Sequence, residues 1–137
     1  MPSYKVSDVE GIGPKYSVKL KKIGVHTLKT LLDKGATRQG RKALSTQSGI
    51  DETYILKWVN MADLYRVKGI GSEYSELLEK AGVDTVKELR NRVPENLLAK
   101  MKEVNSKGRP LVRQLPGLKR VQAWVNEAKK LEPKVKY

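Results

Sequence analysis

Apolar side chains recur three and four positions apart through most of the chain, the spacing of one buried face on an α-helix. Tyr16, Leu20 and Ile23 make the first such stripe, which predicts a helix over 14–23. The caps Thr27 and Thr37 predict helices over 28–34 and 38–47, the latter turning Ala43 and Leu44 inward. Ile55, Trp58, Val59 and Ala62 predict a longer one over 52–65. Tyr74, Leu77, Leu78 and Ala81 predict 72–81, and Leu97, Leu98, Met101 and Val104 predict 94–105. Leu118, Val121, Trp124, Val125, Ala128 and Leu131 predict a last long helix over 117–131. The punctuation agrees: Thr27, Thr37, Asp51 and Thr85 stand where N-caps belong, and Gly24, Gly35, Gly49 and Gly82 where helices stop. Residues 1–8 read as a helical turn or an extended lead-in. No strand-like alternation is long enough to compete, so the fold class is all-α.

The pattern is also written twice. Val9–Leu31 set over Val67–Leu89, an offset of 58 residues, is identical at 13 of 23 positions. Unrelated sequence would give roughly one or two. Trp124-Val125-Asn126 repeats Trp58-Val59-Asn60 at an offset of 66, so the second copy has gained 8 residues. They fall in the basic loop 106–115. A repeat defines the unit of folding before anything else does. Residues 1–65 are therefore expected to be one module and 66–137 a second, with no flexible linker at 63–68.

Each copy opens on Gly-Ile-Gly, at Gly11-Ile12-Gly13 and Gly69-Ile70-Gly71. Glycine reaches positive φ at little cost and allows close approach. The aliphatic between the two glycines can turn into the core. Pro14 then suits the first position of a helix, and Ser72 lies near the N-cap of its twin. Main-chain N–H groups at such a turn suit an anion.

On Val9-Glu10-Gly11-Ile12-Gly13 and Val67-Lys68-Gly69-Ile70-Gly71, each followed by an amphipathic helix and Gly-Val-x-Thr, the chain resembles the helix-hairpin-helix family. It also resembles an uncharacterised family of small proteins with two such modules, grouped as a domain of unknown function. The resemblance implies duplicated helix-hairpin-helix (SAM-like) helical modules packed as a compact tandem. It further implies that hairpin amides hold a DNA phosphate without reading bases.

Charge narrows the partners. With 28 basic and 15 acidic residues the chain carries +13, which favours a polyanion; the resemblance puts DNA ahead of RNA. The two copies differ: residues 14–22 hold four lysines and no acid, whereas 72–80 hold Glu73, Glu76, Glu79 and only Lys80. Carboxylates beside a hairpin repel phosphate. The expected nucleic-acid contacts are therefore Gly11, Ile12, Gly13, Lys15 and Lys19, extended by Arg38, Arg41 and Lys42. Gly69 and Gly71 of the second hairpin and Lys107, Arg109 and Arg113 of the basic loop complete the set. The acidic second hairpin could instead face a protein, and an adaptor module is the alternative function.

Other classes have little support. A helix-turn-helix reading of 44–58 is opposed by Asp51-Glu52, which would meet phosphates at the head of its recognition helix. The chain has one histidine, His26, and no cysteine, so no zinc site is expected. No nucleophile–base pair or paired carboxylates stand out, and the expectation is a non-enzymatic protein without cofactors. Tyr16 and Tyr74 read as core residues. No apolar run approaches the ~20 residues of a membrane span. The expected location is the cytoplasm, with nucleoid association if the source is bacterial or archaeal.

Overall fold

A computed structural model of the chain describes residues 4–9 and 11–137. Residues 1–3 of the lead-in and Glu10 of the first glycine motif lie outside the described residues. Eight α-helices follow a short 3-10 turn at Val6–Asp8. They are α1 (Gly13–Lys22), α2 (Leu28–Gly35), α3 (Arg38–Ser48), α4 (Glu52–Leu64), α5 (Ser72–Lys80), α6 (Val86–Leu89), α7 (Pro94–Ser106) and α8 (Leu118–Lys130). The extended structure found among the described residues is a single bridge, Lys5 with Thr27. No helix among them is long and apolar enough to cross a membrane.

The ends of these helices follow from local chemistry. The hydroxyl oxygens of Thr27, Thr37 and Thr85 accept from the amides of Thr30, Gly40 and Glu88, satisfying one orphan donor in each first turn. Asp51 accepts from the amide and the hydroxyl of Thr53 at 2.8 and 2.6 Å. Those bonds favour the ionised carboxylate and hold its pKa below the usual aspartate value. The first helix of each copy ends the same way. Val25 N–H donates to Leu20 O and Val83 N–H to Leu78 O, with Gly24 and Gly82 at φ +83° and +92°. This is a Schellman closure, and it explains why both copies keep Gly-Val at this point. Ser17 and Ser75 are buried, and each donates its hydroxyl to the carbonyl three residues back.

Two compact units form: Met1–Asp63 with Lys134–Tyr137, and Leu64–Pro133. In the first, α2 and α1 both pack on α3, and α1 packs on the 3-10 turn. Val6, Val9, Ile12, Leu20, Leu28, Leu31, Leu32, Leu44, Ile55, Trp58 and Val59 are buried there. In the second, α7 packs on α5 and α8, and α6 packs on α8. Its core runs from Leu64 through Leu77, Leu78, Leu89 and Met101 to Val121, Trp124 and Val125.

Some expectations need correcting. Ala43 and Leu118 are exposed rather than inward, because each sits at the margin of its helix's apolar stripe. Gly35 does end α2, as expected, though not through a left-handed turn. It is buried inside the helix end, where a Cβ would lie 2.5 Å from Val59 Cγ2, so close packing requires it. Tyr16 and Tyr74 are half-buried, with part of each ring left at the surface.

Candidate nucleic-acid interface

The first glycine turn is built from the inside. Ile12 is buried, and its amide donates to Val9 O at 3.1 Å. Gly13 N–H points at the same carbonyl at 3.5 Å, and Gly13 adopts φ +74° with nothing near its Cα that a side chain would strike. Backbone conformation alone therefore demands glycine there. Gly11 O accepts from Trp58 Nε1 at 3.2 Å, which ties the turn to α4. Two of the main-chain donors expected to meet phosphate are thus turned inward onto Val9, and the Gly11 carbonyl is engaged as well. The cationic contribution of this region comes from side chains.

Those side chains sit on α1, a helix with four lysines and no acid. Lys15, Lys21 and Lys22 are exposed and Lys19 is half-buried. Lys15 Nζ and Lys19 Nζ lie 5.9 and 6.0 Å from the Tyr16 ring centroid, so the two share one face. Lys21 instead lines an open groove of about 430 Å³ with Asp8, Gly13 and Val18. Tyr16 packs in turn, tilted, against two rings of α4. Its centroid is 5.2 Å from that of Trp58 and 5.5 Å from that of Tyr54.

The second turn is not a conformational copy of the first. Gly71, the counterpart of Gly13, has φ −117°, and the positive φ falls on Gly69 at +92°. A Cβ on Gly69 would come within 3.2 Å of Trp124 Nε1. The Lys68 amide donates to both oxygens of Glu127, at 2.8 and 3.3 Å. A carboxylate of the protein therefore already occupies a main-chain anion position at this turn. Arg120 lies over the rings of Tyr74 and Trp124, 5.0 and 5.7 Å from their centroids. With Glu73 and Glu79 exposed on α5, the neighbourhood of Gly69 and Gly71 is a poor place for a phosphate.

Of the other predicted contacts, Arg41 must be withdrawn. It is only 5% exposed. Its Nη1 donates to Gly35 O and Ala36 O at 2.9 and 3.2 Å, and its Nη2 to Lys136 O at 2.8 Å. The guanidinium caps the carbonyl end of α2 and fastens the C-terminal segment, which also donates from Lys136 N to Ala36 O. Burial lowers its pKa from the ordinary arginine value. Arg41→Ala is expected to destabilise the chain by about 2 kcal/mol, since three carbonyls lose a charged donor. Arg41→Lys should not restore this, because one ammonium cannot reproduce the planar fork. Urea titration checks both, and DNA affinity should not change. A variant that folds normally but loses DNA affinity would return Arg41 to the interface.

Arg38 and Lys42 are exposed, and they line a cleft of about 540 Å³ with Glu52, Lys136 and Tyr137. The cleft shares no lining residue with the Lys15–Lys19 face. In the basic loop, Arg109 and Arg113 are exposed, while Lys107 is 3.3 Å from Glu103. That carboxylate, paired first with Lys107 and then with Lys100, has its pKa lowered. Two features escaped the sequence reading. Tyr54 stands four residues before Trp58 on the same face of α4, at the position of Arg120 in the repeat. Glu127 stands at the position of Met61. The offset of 66 that aligned the tryptophans would have exposed both substitutions.

No curated protein and no solved structure matches the chain. The family described as a domain of unknown function (DUF4332) matches residues 10–131, across both copies of the repeat. The chain belongs to that family.

Proposed function

We propose that the chain is a non-enzymatic, sequence-non-specific nucleic-acid-binding protein, acting on DNA ahead of RNA in the cytoplasm. The observation that carries this reading is the lysine-only surface of α1 beside the first glycine turn, in a chain of net charge +13. Lys15 and Lys19 hold phosphates, with Arg38, Lys42, Arg109 and Arg113 as further basic contacts. The helix-hairpin-helix resemblance supports the choice of ligand. The contacts assigned here are ammonium and guanidinium groups rather than the amides of Ile12 and Gly13, which are turned to Val9 O. Such groups contact the phosphate backbone and carry little base information.

Salt dependence tests the reading. Affinity for a random duplex should fall linearly on a log–log plot, with a slope of about −0.9 for each phosphate neutralised. The six contacts assigned would give a slope of about −5. An affinity that does not respond to salt would exclude the account.

A second reading is favoured by one observation. Glu127 fills the Lys68 amide position and α5 is acidic, so the second turn suits a basic protein surface better than nucleic acid. In that reading the chain is an adaptor.

A further inference from the structure

We propose that Tyr54 is a base-stacking residue, which gives the first unit a preference for unpaired bases over blunt duplex. The inference rests on the nucleic-acid reading above and adds a strand-state specificity to it.

Tyr54 is 47% exposed. It belongs to a cluster of three rings, stacked at 24° and 6.1 Å on Trp58 and tilted by 33° to Tyr16 at 5.5 Å. Trp58 is held by its bond to Gly11 O and by burial, so Tyr54 stacks on a fixed ring. A preordered aromatic ring at the surface stacks a base with little loss of side-chain freedom. Such stacking tolerates any sequence, because every base has a π-face.

The charges around the ring suit a strand. Lys15 and Lys19 reach the Tyr16 ring next to it, where they can meet the phosphates of the nucleotide whose base is stacked. The two acids that open α4 do not oppose this. Asp51 is engaged by Thr53, and Glu52 lines the cleft with Arg38 and Tyr137. In the repeat, Arg120 takes the position of Tyr54, and a protein cation covers Tyr74 and Trp124. The same scaffold thus ends in an arginine lid in one copy and an exposed ring in the other. A paired base in B-form duplex offers no free face except at an end, so only unstacked bases can use the ring.

Fluorescence anisotropy on the full chain decides it, with a labelled mixed-sequence DNA single strand and the blunt duplex of the same sequence as probes. Tyr54→Ala should weaken single-strand binding about tenfold and change duplex binding less than about twofold. Tyr54→Phe should restore the wild-type ratio. The Tyr54→Ala loss should persist as salt is raised, unlike a lost phosphate contact. Far-UV circular dichroism shows whether each variant is folded, and the exposed ring makes that the expected result. An equal loss on both probes, or no loss on either while the wild type binds, overturns the stacking role and leaves the phosphate reading standing. A wild type that binds neither probe at low salt overturns both.

Discussion

Reversing Lys15 and Lys19 together to glutamate should lower affinity for random duplex DNA by about a hundredfold or more at 0.1 M salt. The two ammonium groups lie on one face of α1, within about 6 Å of the same ring. Each phosphate contact contributes counterion release, so two losses should flatten the log–log salt slope by about 1.8. New repulsion from the glutamates deepens the loss at low salt. Reversing Lys87 and Lys129, exposed lysines outside the assigned contacts, changes net charge by the same amount and is the proper comparison. If net charge alone governs binding, the two double variants will weaken it equally. If the α1 face is the docking site, the Lys15–Lys19 variant will weaken it far more. DNA retention that survives the Lys15–Lys19 reversal would favour the adaptor reading. Neither lysine is part of the core, so loss of fold does not confuse the outcome.

The largest stability effect should come from Trp58→Ala, at about 3–5 kcal/mol. Trp58 is 1% exposed, packs on Tyr16 and Tyr54, and donates to Gly11 O. Its removal opens a cavity and leaves the turn without its tie to α4. A total stability of roughly 5–15 kcal/mol makes this loss a large fraction. Trp58→Phe should cost less, keeping the aromatic volume and losing the hydrogen bond. Denaturation followed by circular dichroism measures the shift, and Trp124 fluorescence remains as a separate reporter on the second unit. A midpoint unchanged by Trp58→Ala would mean the tryptophan is not the anchor its burial indicates.

The helices were legible because their signals are local. Periodicity placed α1, α4, α5, α7 and α8, and the caps Thr27, Thr37 and Thr85 marked the starts of α2, α3 and α6. Gly24 and Gly82 were legible for the same reason, since a left-handed residue closing a helix is a property of a few consecutive residues. The lysine excess on α1 and the acids on α5 are facts of composition and survived intact.

What was not legible depended on residues distant in sequence. Arg41 looks like any solvent-facing cation on α3 until the C-terminal segment brings Lys136 O to it, 95 positions away. The hydrogen-bonding capacity of the glycine turns was also undetermined by the motif. Val9 O and Val67 O each accept from the buried isoleucine's amide, yet the positive φ falls on Gly13 in the first turn and on Gly69 in the second, so two similar sequences became two different turns.

The amino-acid sequence by itself thus determined an all-helical duplicated chain with a strongly basic first helix, because periodicity, capping and charge act within a few residues. Only the tertiary structure decided which donors and rings were left facing solvent. Hydrogen-bond satisfaction and burial are settled by whichever groups the packed chain brings within about 3 Å.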